Sequence, residues 1–168
     1  NFELLSSREN IDAELKKIKE HGMNMIYLDV KAANGYAMYK SDILPYCDTF
    51  GSKTVTRDYD DYLGYFLEKS DEMGIDVVAS VAATGFGIHE GELSQGLIFD
   101  KPEQWGDKCQ VRSDNNDSTL TVSAVDDMQQ VVVMLSPASP EVQTLLVDIC
   151  AEIVTRYPKL KGICLDYL

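Results

Sequence analysis

Residues 139–167 read Ser139-Pro140-Glu141-Val142-Gln143-Thr144-Leu145-Leu146-Val147-Asp148-Ile149-Cys150-Ala151-Glu152-Ile153-Val154-Thr155-Arg156-Tyr157-Pro158-Lys159-Leu160-Lys161-Gly162-Ile163-Cys164-Leu165-Asp166-Tyr167, and this stretch decides the fold. Ser139 suits an N-cap and Pro140 the first helical position, where a missing N–H costs nothing. Val142, Leu145, Leu146, Ile149, Cys150, Ile153, Val154 and Tyr157 then recur with the spacing of a core-facing helix. Pro158 stops it, and Ile163 to Leu165 reads as a short buried strand closing on Asp166.

The same helix-then-strand unit occurs twice upstream. Ser6 with Glu9 forms a capping-box spacing, Ile11, Leu15 and Ile18 share a face, and Gly22 reads as the C-cap before a strand from Met25 to Val30. A second helix is expected from about Asp58 to Gly74, carrying Tyr59, Tyr62, Leu63, Phe66 and Leu67, with a strand from Val77 to Val81. Apolar strands alternating with helices imply an α/β fold with parallel pairing through right-handed crossovers.

The connections are unequal. Helix-to-strand joints are short, whereas Lys31 to Arg57 and Ala82 to Ala138 are long and follow strands, so both leave the carboxyl edge of the sheet, where such folds place their sites. Thr119 to Val125 and Gln130 to Leu135 suggest a hairpin inside the second loop. A complete (β/α)8 barrel takes about 250 residues. The 168 residues are therefore expected to form one domain, a partial (β/α)8 TIM barrel with an insertion loop over 82–138. A strand before Asn1 and further strands after Leu168 are expected to complete it, and the remainder of the barrel is expected to be required for folding. An open flavodoxin-like binding module is the competing architecture, disfavoured by the uncovered last strand and the two long loops.

Composition narrows the partners. Fifteen Lys plus Arg against 28 Asp plus Glu give a net charge of −13, which opposes binding to nucleic acid or to an anionic membrane surface. No apolar run is long enough for a membrane span. Cys47, Cys109, Cys150 and Cys164 show no metal-ligand spacing; Cys150 and Cys164 read as small buried hydrophobes, while Cys47 and Cys109 fall in loops, where pairing and free thiols both stay open. His21 and His89 are isolated, and Gly85-Phe86-Gly87 lacks the rest of a dinucleotide fingerprint, so no metal and no cofactor is expected.

The chemistry-bearing candidates sit at strand ends. Asp166 closes the third strand, at the position where a barrel carboxylate acts as nucleophile, base or ligand, or else caps the loop that follows. Asp29 closes the first, with Lys31 two residues on and therefore expected on the same side, where the two either form a structural ion pair under the loop or present both groups to a hydroxylated ligand. The loops add Tyr36, Tyr39, Tyr46, Phe86 and Trp105, flat groups on which a sugar face stacks, or which simply anchor the loops.

The turn Ser136-Pro137-Ala138-Ser139-Pro140-Glu141-Val142, the Arg156-Tyr157 helix end, the strand Gly162-Ile163-Cys164-Leu165-Asp166-Tyr167, and Gly35, Tyr39 and Ser41 after Asn24 to Lys31 together resemble the glycosyl-hydrolase-like proteins related to α-amylases. These are secreted bacterial (β/α)8 proteins, and the likeness runs in order through most of the chain. It implies that the three strands are the second, third and fourth of the barrel, that Asp166 is the nucleophile of a retaining glycoside hydrolase, and that the general acid comes from a fifth strand beyond Leu168. It further implies a polysaccharide or oligosaccharide substrate, with Asp29, Lys31, Tyr39, Trp105 and Tyr167 as candidate binding residues, and an extracytoplasmic location, periplasmic or cell surface. Two positions depart from the pattern: Ala82 and Ser136 stand where the family carries Asn. A non-catalytic carbohydrate-binding barrel is the alternative.

Overall fold

Ser7, not Ser6, opens the first helix. In this computed structural model, which describes residues 3–56, 61–90, 92–110 and 132–167, Ser6 belongs to a 3-10 turn over Leu4–Ser6 and its hydroxyl donates to the Glu3 carbonyl at 2.5 Å. Ser7 has the extended backbone of a cap, and its oxygen accepts the Asn10 amide at 3.1 Å. Helix α1 (Arg8–Glu20) ends at His21. Gly22, at φ +73°, turns the chain out while its amide and that of Met23 close on Lys19 and Ile18.

Strand β1 (Met25–Lys31) follows, then a two-residue hairpin of β2 (Thr49–Phe50) and β3 (Lys53–Thr54), and helix α2 (Tyr62–Glu72). Asp61 caps α2 by accepting the Gly64 amide at 3.0 Å. The expected start near Asp58 lies outside the described residues. Next come β4 (Asp76–Ala82), β5 (Gly85–Glu90), β6 (Leu93–Gln95), the single turns α3 (Leu97–Asp100) and α4 (Pro102–Trp105), and β7 (Val132–Met134). The chain closes with α5 (Pro140–Arg156) and β8 (Gly162–Asp166).

The three expected strands pair in the order β1-β4-β8, all parallel. Their crossovers put Leu28, Val30, Val77, Ala79 and Val81 into one cluster with Ile11 and Leu15 of α1, Leu63 and Phe66 of α2, and Ile149 and Ile153 of α5. The opposite face is open: Met25 is 48% and Tyr27 63% exposed. Within the described residues all three long helices pack on the other side, so this face of the three strands is left uncovered.

The long second loop builds a small antiparallel sheet, β6-β5-β7. The expected strand near Gln130 to Leu135 is present as β7, but within the described residues its partner is β5, over 40 residues away in sequence. The other proposed hairpin arm, Thr119 to Val125, lies outside the described residues. All four cysteines are free thiols, so Cys47 and Cys109 are not joined. Among the described residues, no helix is long and apolar enough to cross a membrane.

Candidate functional site

At the carboxyl ends of the parallel strands a pocket of about 350 Å3 is lined by Asp29, Lys31, Ser80, Ala82, Asp166 and Tyr167, among others. Register explains why. Asp29 lies opposite Ser80 and Ala82 opposite Asp166, so both carboxylates sit on the open face of the sheet, on either side of β4. Four of the six residues nominated from sequence converge here.

Lys31 arrives differently from expectation. The pairing of β1 with β4 slips between Asp29 and Lys31, leaving Val30 as an extra residue, so Lys31 lies opposite Val81 instead of Ala82. Such a bulge breaks the two-residue alternation and re-aims the side chain. Lys31 is only 1% exposed. Its ammonium donates to the carbonyls of Ala82 at 2.5 Å and Gly85 at 2.7 Å, and lies 3.9 Å from the centre of the Phe86 ring. Burial pushes its pKa down to about 7. Lys31 therefore forms the floor of the pocket, with its hydrogen bonds directed into the fold.

Asp166 is exposed, and its Oδ1 accepts the amide of Tyr167 at 2.8 Å. Tyr167 adopts a left-handed backbone, φ +56°, which is costly for a residue with a Cβ. Ala83 and Thr84 hold this turn from the neighbouring strand: the Ala83 amide donates to the Asp166 carbonyl at 2.7 Å, and the Thr84 amide to that of Tyr167 at 3.1 Å. The Thr84 hydroxyl donates to the same Tyr167 oxygen.

Tyr39 and Trp105, expected to bind sugar, are buried away from the pocket. Tyr39 is wholly buried, and its hydroxyl donates to Glu152 Oε2 at 2.9 Å. The same carboxylate accepts the Ser41 hydroxyl at 2.6 Å and, through Oε1, the Asp42 amide at 2.6 Å, while Arg156 pairs with Asp42 at 2.5 Å. The Tyr39 ring meets Tyr157 edge-on at 5.9 Å. Tyr157 itself donates to Asp61 at 2.8 Å and accepts the Lys40 amide. Burial, with the Glu152 and Asp61 carboxylates, raises the pKa of both phenols, so they stay neutral donors. The Tyr39, Ser41 and Arg156-Tyr157 signals thus describe one seam that fastens the β1 loop to α5, whereas Gly35 lies against Phe86 and Leu97. Trp105 is 6% exposed, with its ring against the core and its indole N–H unpartnered among the described residues. Neither ring offers a face to a ligand.

Glu152 and Thr84 were not visible as special in the sequence. A Glu in a helix ordinarily reads as a solvated charge, and the buried Glu152 side chain is betrayed only by lying one turn before Arg156 on the loop-facing side. Among the described residues no group of acidic, His or Cys side chains is placed to hold a metal ion.

Comparison with known proteins places this geometry. A family model described as glycosyl hydrolase-like 10 matches residues 2–168. The chain belongs to that family. Over 175 aligned residues it is 26% identical to an S-layer-related protein of Niallia circulans, covering 99% of this chain and 10% of that protein. Among solved structures, alpha-L-fucosidase isoenzyme 2 from Paenibacillus thiaminolyticus superposes with a TM-score of 0.61 at 19% identity, covering 93% of this chain and 20% of that one. A hypothetical protein from Ruminiclostridium thermocellum gives 0.56 at 18% identity, covering 97% and 72%. The chain thus spans a tenth of the curated relative's length and a fifth of the fucosidase's. These likenesses establish the fold, a mixed α/β segment corresponding to part of a glycosidase-type TIM barrel.

Proposed function

We propose that this chain supplies part of the sugar-binding face of a glycoside hydrolase, acting on a polysaccharide or oligosaccharide outside the cytoplasm. Asp166 is its nucleophile, and the general acid stands on a later strand of the full-length protein. The observation that carries the reading is the placement of Asp166: an exposed carboxylate at the carboxyl end of a parallel strand, facing a pocket, in a chain of the glycosyl hydrolase-like 10 family. In the retaining mechanism, the Asp166 oxygen bonds to the anomeric carbon as an acid about 5 Å away protonates the leaving oxygen; water then cleaves the glycosyl ester. Asp29 and Tyr167, which share the pocket, are placed to hold sugar hydroxyls and a ring face. An extracytoplasmic site of action draws support from the resemblance to an S-layer-related protein.

One observation favours a second reading, a barrel that binds sugars without cleaving them. Ala82, directly opposite Asp166, gives the pocket a methyl group where the resemblance drawn from the sequence implies an Asn. The test is Asp166→Asn in the full-length protein, assayed for hydrolysis and for binding across a glycan panel. Catalysis predicts a turnover loss of at least about a thousandfold with binding retained. Turnover like that of the wild type in Asp166→Asn would overturn the nucleophile assignment, and a wild type that binds glycans but hydrolyses none would select the binding barrel.

A further inference from the structure

Beside the pocket that holds Asp166 lies a second, more open cavity of about 680 Å3, between the start of α1 and the β2–β3 hairpin. Glu3, Asn10, Glu14, Lys17 and Lys53 line it, and Phe50 lines both cavities. The two therefore meet at one side chain, and each falls in the range of about 300–1,000 Å3 usual for small-ligand sites. Unlike Tyr39 and Trp105, Phe50 is only half-buried: it packs against the core and still reaches both cavities.

The hairpin that carries this ring is seated on a pair of side-chain amides. Asn34, wholly buried, donates through Nδ2 to the Thr49 carbonyl and to Gln95 Oε1, both at 3.4 Å. The same Gln95 oxygen accepts the Gly51 amide at 3.0 Å. The residues on either side of Phe50 are thus tied through their backbones to Asn34 and to β6, which fixes where the ring stands. Gly51, at φ +61°, makes the tight turn back to Lys53, the ladder partner of Phe50. A ring placed before any ligand arrives loses little freedom on binding.

Charge selects among ligands. In the outer cavity Lys53 is paired with Glu3 and Lys17 with Glu14, each at 3.0 Å, so these charges cancel. In the inner pocket Asp29 and Asp166 line the wall while Lys31 directs its hydrogen bonds into the fold. An acidic sugar is opposed by the two carboxylates, whereas a neutral one offers hydroxyls to them and a C–H face to the ring.

We propose that Phe50 is the platform on which the ligand crosses from one cavity to the other, and that the ligand is therefore an uncharged oligosaccharide longer than a single sugar, with one unit over Asp166 and the next beyond the ring, beside Asn10 and Glu14. The inference rests on the sugar-binding reading of the Asp166 pocket and adds to it the chain length, the charge class and the ring that reads them.

The experiment measures binding by calorimetry to the full-length protein as wild type, Phe50→Leu, Phe50→Tyr and Ala13→Trp, with a Tm for each. The probes are neutral oligosaccharides of increasing length, from one unit upward, built from glucose, mannose, galactose or N-acetylglucosamine, and hexuronic acid oligomers of the same lengths. The wild type is expected to bind a neutral trisaccharide about tenfold more tightly than its monosaccharide, and about tenfold more tightly than an acidic trisaccharide. Phe50→Leu keeps an apolar side chain against the core but removes the flat face, and is expected to weaken trisaccharide binding by about tenfold, with Phe50→Tyr restoring it. Ala13, at an exposed position of α1, also lines the outer cavity. Ala13→Trp fills that space and is expected to erase the gain of trisaccharide over monosaccharide, a result that decides the matter even should Phe50→Leu fail to fold. Unchanged trisaccharide affinity in Phe50→Leu overturns the platform. Equal affinity at every length, or a gain that survives Ala13→Trp, overturns the crossing, and tighter binding of the acidic oligomers overturns the charge class. A folded wild type that binds no sugar of any length sinks the sugar-binding reading itself, whereas the other adverse results sink this inference alone.

Discussion

Lys31 shows how a single residue's environment can differ from what its spacing suggests. A buried ammonium is tolerated because two carbonyls and an aromatic face surround it, yet desolvation still lowers its pKa from 10.5 to about 7. The sign of the consequence follows by linkage. Below pH 7 the amine is protonated in folded and unfolded chains alike, and the desolvation cost is fully present; between pH 7 and 10.5 the folded state has lost the proton that the unfolded state still binds, so stability rises with pH. Lys31→Met removes this term together with its two hydrogen bonds, whose dependence on the proton is already contained in the lowered pKa. Denaturant titrations of the full-length protein and its variant at pH 6.5 and 9.5 should show the wild type gaining on the variant at the higher pH. A constant or shrinking difference would contradict the buried-amine account.

At the same scale, the limits of reading residues singly are plain in Tyr39, Trp105 and Glu152. An aromatic in a loop looks alike in sequence whether it stacks on a ligand or plugs a seam, and a helical Glu looks alike whether solvated or buried. The difference lies in what the surrounding chain folds against, and for Tyr39 and Glu152 that is each other, more than 100 residues apart.

Helices and strands were far more legible. The three amphipathic stripes and the apolar runs after them became α1, α2, α5 and β1, β4, β8 with boundaries off by a few residues, because periodicity and capping chemistry are local properties. The slip at α1 is instructive. Ser6 and Ser7 are equally good caps by type, and the 3-10 turn before the helix selects Ser7. Ser7→Ala should therefore lower stability by about 1 kcal/mol, and Ser6→Ala by clearly less, as read from paired thermal melts. Equal losses would mean that the helix start is shared between them. The bulge in β1 and the β5–β7 pairing were not legible for the opposite reason: a one-residue slip leaves no compositional trace, and β5 contains Gly85-Phe86-Gly87, a pattern that argues for a loop.

At the scale of the molecule, a parallel sheet of three strands has both outer strands at an edge, and one of its faces carries Met25 and Tyr27 largely in water. A solitary sheet of this kind templates further pairing. Residues 1–168 produced alone are expected to self-associate or to melt without a cooperative transition, and to become stable when co-produced with the rest of the full-length protein. A monomer with a sharp two-state melt would show that these strands need no further partners.

If Asp166 attacks the sugar, as proposed, the full-length protein passes through a covalent glycosyl ester on that residue. Turnover with a slowly released activated glycoside, quenched in acid and digested, leaves any covalent intermediate on the peptide that carried it. The expected result is a mass increment of one glycosyl unit on the peptide containing Asp166, absent from Asp166→Asn. An adduct on a different carboxylate, or hydrolysis with inverted product stereochemistry and no adduct, would contradict it.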